Sequence, residues 1–305
     1  MSAEVGTVKR WMGRETWYRP VTGTLAGTVA GTVAAVLAVG GCSGSGAGSG
    51  HAPIPSQRGR PTGAPGNAAG PAGTAAAWRR WGLTPLPDAP RPPADKPVKL
   101  AATGTVPVLT HVPTAQKVVF ITVDDGQEKD PTFIEMMRDL NIPITMFLMN
   151  DAIKSDYAYF TSLQALGNHI QNHTLHHPVM STAPLAHQKD EVCGDQKVLT
   201  EEYGTTPLLF RPPYGAYDEN TRIAVGECGP RAIVWWRESM QIRNMQYQDA
   251  DDKLRAGDII LAHFRGPGEL KGVTMTQMFT NLLRRVQEQG FAVARLEDYI
   301  QPLAG

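Results

Sequence analysis

From about Val106 onward the chain alternates short apolar runs with stretches of helical periodicity, and that alternation leaves few folds open. The apolar runs are Val118–Val123, Ile144–Met149, His169–Asn172, Leu208–Phe210, Ile233–Trp236, Ile259–Ala262 and Phe291–Ala294. Helical stretches fall at Pro131–Leu140, Tyr157–Leu166, Pro184–Tyr203, Asp218–Glu227 and Met275–Gln289. Gly167, Gly204 and Gly290, with Asn141 ahead of Ile142-Pro143, mark stops and turns between them. Strands alternating with helices predict a parallel sheet covered by helices, an α/β fold. Seven candidate strands suit a distorted (β/α)7 barrel better than a doubly wound sheet. No glycine-rich phosphate loop follows the first run, which weakens a nucleotide-binding version.

Polar residues fall at the ends of these runs. Asp124 and Asp125 end the first, His173 the third, Arg211 the fourth and His263 the sixth, while Glu238 lies just past the fifth. In a parallel α/β barrel the carboxyl ends of the strands ring one mouth, where catalytic groups gather. Two histidines four apart (His173 and His177), followed by Pro178, can aim two imidazoles at one point. A paired aspartate adds a metal ligand and a second carboxylate free to act as a base. These are the parts for metal-assisted hydrolysis.

Taken singly, each part has a plainer reading. Asp124-Asp125-Gly126 also suits an ordinary turn, and histidine-rich loops are often merely solvated. His176 complicates the pairing, because a pair three apart can also chelate; His169 and His187 are read as surface or packing residues. Arg211-Pro212-Pro213-Tyr214-Gly215 is a stiffened strand-to-turn segment whose arginine could form only a surface ion pair. A lone His263 is more often a satisfied structural residue than a catalyst. Taken jointly, the plain readings no longer suffice.

The chain ahead of this region differs in kind. Residues 43–105 hold 11 of the 24 prolines and 11 of the 31 glycines. That composition predicts a disordered tether over residues 42–105 and a folded domain over 106–305. Ala75–Leu83, with Trp78 and Trp81, could dock locally but is read as weakly ordered. Of 29 basic and 29 acidic residues, residues 1–105 hold 11 and 4, leaving 18 and 25 in the folded part. An acidic folded part argues against nucleic acid as a partner, and the basic excess fits a membrane-proximal leader.

Lys9, Arg10, Arg14 and Arg19 precede an apolar run from Val21 to Val39, then small residues and Cys42, so residues 1–41 read as an export signal. Val39-Gly40-Gly41-Cys42 resembles the lipobox of bacterial lipoproteins, with Cys42 carrying the lipid. An uncleaved anchor and a simple secretory signal remain as alternatives. All three place the domain outside the cytoplasmic membrane. There the even remaining pair, Cys193 and Cys228, is a candidate disulfide, the alternative being two buried thiols.

Thr122-Val123-Asp124-Asp125-Gly126, His173-Thr-x-x-His177-Pro, Arg211-Pro-Pro-Tyr214-Gly215 and Leu261-Ala-His263, in this order, resemble the polysaccharide deacetylases, carbohydrate esterase family four or the NodB-homology group, over roughly residues 115–300. The resemblance implies a distorted barrel and a divalent metal, usually zinc, with cobalt, nickel or manganese as alternatives. It implies removal of acetyl groups from N-acetylated amino sugars of peptidoglycan or chitin-like glycans. By position, Asp125, His173 and His177 would bind the metal. Asp124 would be the base, Arg211 its partner and His263 the acid. Pro213, the Tyr214 amide, Gly215, Trp235 and Leu261 would contact substrate, Leu261 lining the acetyl pocket. The chain is expected to act as a monomer on an acetylated glycan.

Two positions depart from the family pattern. Val123 replaces the common phenylalanine. In the fourth motif Glu238 stands where the family carries the aspartate that tunes the catalytic histidine; it can supply that carboxylate with one extra methylene, or Arg237 could neutralise it. The departure keeps two alternatives open: a non-catalytic glycan-binding lipoprotein on the same fold, and an O-acetyl esterase or other amidase.

Overall fold

The computed structural model describes residues 73–100 and 102–301. The expected signal segment and Cys42 lie outside the described residues, and among those described no helix is long and apolar enough to cross a membrane. The helices are α1 (Ala75–Arg80), α2 (Pro131–Leu140), α3 (Asn150–Ile153), α4 (Tyr157–Ala165), α5 (Leu185–Tyr203), α6 (Glu219–Cys228) and α7 (Met275–Glu288). The strands are β1 (Val108–Leu109), β2 (Val118–Asp125), β3 (Thr145–Leu148), β4 (His169–Asn172), β5 (Leu209–Phe210), β6 (Ala232–Val234), β7 (Glu238–Met240), β8 (Met245–Gln246), β9 (Ile259–His263) and β10 (Ala292–Val293).

All seven apolar runs form strands, and β1, β7 and β8 join them. The order across the sheet is β1-β6-β5-β4-β3-β2-β9-β7-β8, with β10 alongside the start of β2. Every pairing is parallel except β7 with β8. The result is a curled, parallel-rich sheet covered by helices, a distorted (β/α) barrel. Between β1 and β9 the gap is spanned by an isolated bridge of His111 with Asp258.

Local sequence sets the helix ends. Asp130 caps α2 ahead of Pro131, while Asp218 and Thr274 close capping boxes on α6 and α7. These N-termini follow strand carboxyl ends, so they sit on the same rim as the polar run-end residues.

Strand alternation sorts the side chains into two faces. Val119, Ile121, Val123, Met146, Leu148, Ile170, Ile260 and Ala262 face outward, packing with residues of α2, α4 and α7. Val118, Phe120, Phe147, Leu209, Val234, Ile259 and Leu261 form the barrel interior. Because the period is two, Asp124 follows Phe120 inward, and His263 follows Ile259 and Leu261.

The expected tether boundary at residue 106 needs correction. Trp78 is 1% exposed, and Leu83, Leu86 and Val98 are also buried against the domain. Arg80 pairs with Glu135 and Asp139 at 2.8 Å each, and Trp81 Nε1 donates to Asp139 at 3.0 Å. Average composition hid this. A Pro/Gly-rich stretch needs only a few large apolar side chains, well placed, to dock along a surface.

Candidate metal and catalytic site

Asp124 and His263 are register partners on β2 and β9, so both stand at one end of the interior. Asp124 is almost fully buried, and its Oδ1 accepts a hydrogen bond from Arg211 Nη1 at 2.7 Å. Arg211, wholly buried at the end of β5, is fixed from every side. It donates to Thr122 Oγ1 at 2.7 Å, the Val234 carbonyl at 3.0 Å and the Trp235 carbonyl at 3.3 Å, and its guanidinium lies 4.3 Å from the Phe147 ring centroid. Burial raises the Asp124 carboxyl above its ordinary range, and the charge and hydrogen bond of Arg211 oppose that rise.

Asp125 would face outward by strand alternation, yet its φ of +73° turns the chain and swings the carboxylate over the mouth. Its Oδ1 lies 3.5 Å from His173 Nε2 and 3.3 Å from His177 Nε2. Donor atoms of Asp125, His173 and His177 all fall within 4.8 Å of one another. Burial acts to raise the Asp125 pKa, but hydrogen bonds from both histidines and the nearby His263 and Arg265 hold it well below the usual value. Among the described non-glycine residues with positive φ are Asp125, Thr174, His177 and Tyr214, all at this mouth. Such strained backbone gathers at functional sites.

The His173 ring is oriented from behind: its Nδ1 contacts the Arg211 carbonyl at 2.7 Å. A backbone carbonyl there accepts the Nδ1 proton, which leaves Nε2 as the ring nitrogen open to a metal ion, the arrangement of a metal-binding imidazole. Two Nε2 atoms, one carboxylate oxygen and this support fit a divalent ion of zinc type.

The other expected residues are placed as follows. Tyr214, at φ +59°, is 46% exposed, and its ring packs 4.7 Å from that of His177. Pro213 is buried. Gly215 sits so close to Trp235 that a Cβ there would lie 2.5 Å from the indole Nε1, which instead donates to the Gly215 carbonyl. Leu261 lies two residues below His263 on the interior face, 2% exposed. His263 is held well below the ordinary imidazole value, by burial first and then by the Arg265 charge. Cys193 and Cys228 are joined by a disulfide that ties α5 to the end of α6.

Glu238 does not stand where the sequence comparison put it. Its register partner is Ile260, so it points to the outer face, whereas His263 points inward. It is buried in the field of Asp258, which precedes β9 at the opposite end from His263, and burial with that neighbouring charge pushes its pKa up. One extra methylene cannot cross a sheet. Ser239, paired with Leu261, takes the inward direction instead.

Residues overlooked in the sequence lie on α5. Asp195 Oδ2 accepts the His173 amide at 3.2 Å, and Glu191 accepts both the amide and the ring of His176 at 2.9 and 2.8 Å. Gln188, Glu191, Val192, Asp195, Gln196 and Leu199 are the buried stripe of this helix. Acids at core-facing 3/4 spacing were the available signal. Arg265 Nη2 also reaches Asp125 Oδ2 at 3.4 Å, holding the carboxylate oxygen that faces away from the histidines.

Comparisons with known proteins agree with this geometry. The polysaccharide deacetylase family model matches residues 111–233. An uncharacterized protein of Streptomyces coelicolor is 36% identical over 195 residues, spanning 64% of this chain and 77% of its own. A peptidoglycan-N-acetylglucosamine deacetylase of Bacillus cereus is 24% identical over 208 residues, 64% of this chain and 93% of its own. A solved family-four carbohydrate esterase pseudoenzyme from Bacillus anthracis shares the fold, with a TM-score of 0.54 at 16% identity over 65% of this chain and 72% of that one. Motifs, fold and relatives thus converge: the chain carries a polysaccharide deacetylase domain, matched over residues 111–233.

Proposed function

We propose that this protein is a metal-dependent hydrolase that removes acetyl groups from N-acetylated amino sugars of peptidoglycan or a chitin-like glycan. The observation that carries the reading is the meeting, at one barrel mouth, of a ligand triad (Asp125, His173, His177), a second carboxylate on a buried arginine (Asp124 with Arg211) and a histidine (His263). A divalent ion held by that triad, zinc first among candidates, supplies Lewis acidity toward the acetyl carbonyl.

The chain's own groups divide the remaining work. Asp124 takes a proton from the attacking water, and its raised pKa makes it a stronger base than an exposed aspartate. Arg211 keeps it anionic at rest and fixes its direction. The Tyr214 amide is the candidate donor to charge developing on the acetyl oxygen. His263, neutral at rest, becomes a strong acid once protonated and donates to the departing amine. Leu261 offers an apolar surface to the acetyl methyl. The export signal and Cys42 support a domain working outside the cytoplasmic membrane on a lipid anchor. Incorporation of labelled fatty acid, lost in Cys42→Ala, would test that part.

The outward direction of Glu238 favours one competing reading, a glycan binder without turnover, because the expected carboxylate partner of His263 is missing. Acetate release from acetylated oligosaccharides separates the two. Turnover is expected with one bound metal per chain; Asp124→Asn keeps the metal and loses about 100- to 10,000-fold in rate, and His173→Ala loses the metal. Metal bound without acetate from peptidoglycan, chitin oligomers or xylan would refute the hydrolase.

A further inference from the structure

A second group of metal-ligating side chains lies outside the triad. His176 stands in the turn between His173 and His177, but its ring points to α5, with Nδ1 2.8 Å from Glu191 Oε1. His187, one turn before Glu191 on the same helix, brings Nε2 to 3.9 Å from that same oxygen. Two imidazoles from different segments therefore converge on one carboxylate oxygen.

Burial separates their roles. Glu191 is 2% exposed, whereas the side chains of His176 and His187 are 59% and 51% exposed. Among the described residues no lysine or arginine forms an ion pair with Glu191. A buried carboxylate under two solvent-facing imidazoles is a negative well with an open lid, and a cation placed there gains what a neutral partner cannot supply.

We propose that His176, His187 and Glu191 form a second metal site, for a divalent transition-metal ion such as zinc, nickel or copper, with water completing the shell. Two nitrogens and one oxygen suit those ions rather than calcium or magnesium. Positions four apart on a helix stand roughly 5–6 Å apart at Cβ, close enough for one ion to take both His187 and Glu191. Among the described residues only the inner triad already holds its donors within 4.8 Å of one another. The outer set closes when exposed His187 turns toward Glu191, so it binds more weakly than the triad. His176 is bonded directly to His177, which sits at φ +61° in a tight turn. A pull on His176 is passed to an inner ligand, so filling the outer site inhibits turnover.

The inference stands apart from the catalytic reading and is tested on the metal-stripped full chain, titrated with zinc against a chromophoric chelator. Two affinity classes are expected in the wild type. His187→Ala should lose only the weaker class and escape inhibition by excess zinc, while His173→Ala should lose the tighter one. His187 is half-exposed on a helix surface, so its removal leaves the fold intact. A single class in the wild type up to millimolar zinc, or retention of both classes in His187→Ala, overturns the second site. Loss of acetate release with both classes intact would instead count against the catalytic reading.

Discussion

Glu238→Gln tests the structure where it departs most from expectation. Glu238 is 2% exposed beside the fully buried Asp258. Burial first, then the Asp258 charge, pushes its pKa from 4.5 to about 9. Between those values the folded chain keeps a proton that the unfolded chain has released. Stability is therefore complete below the unfolded value and declines as pH rises toward the folded one. The slope is just over ~1 kcal/mol per pH unit for one such group. From pH 6 to 8 the wild type should lose roughly 2–3 kcal/mol, which for a domain of about 200 residues lowers Tm by about 5–10 °C. Glutamine has the same shape as the protonated glutamic acid and does not titrate, so the variant should show a much flatter profile and be the more stable protein at pH 8. Thermal unfolding by circular dichroism at half-unit steps from pH 5 to 9 reads this directly. Two profiles that stay parallel across that range would refute the reasoning. Acetate release, if present in the wild type, should survive, because the side chain faces away from His263.

Two further outcomes follow from other contacts. Trp78→Ala should destabilise the domain by about 3–5 kcal/mol, read as a fall in Tm, because the indole is buried against the domain; an unchanged Tm would return residues 73–100 to tether status. Arg265→Gln keeps a donor to Asp125 Oδ2 but removes a positive charge beside the triad's carboxylate, and relief of its repulsion toward a bound divalent ion is worth on the order of 1–2 kcal/mol even in a watery dielectric. Metal affinity measured by chelator competition should rise about tenfold, and unchanged affinity would show that the 3.4 Å contact is lost in the loaded protein.

Local chemistry made much of this protein legible. The seven apolar runs and five main helices needed only periodicity and stop signals, because strand and helix burial repeat along the chain. The triad was legible because His173 and His177 share one turn and Asp125 sits beside Asp124 on one strand. The short strands β7 and β8 carried too few residues for any period to register. Trp78 was submerged in the composition of its neighbours.

Residue type and spacing carry the element order, the chemical groups at the strand ends and the motifs. The direction in which each group points comes from the folded packing. Asp125 is turned back over the mouth by a positive φ, Arg211 is driven inward onto Asp124, and Glu238 is sent to the outer face by its pairing with Ile260. Glu191 and Asp195 join the His173–His177 loop only through packing of α5 against it. The reason is physical: residue type and spacing are properties of the chain, whereas register and packing are set by which surfaces end up buried together.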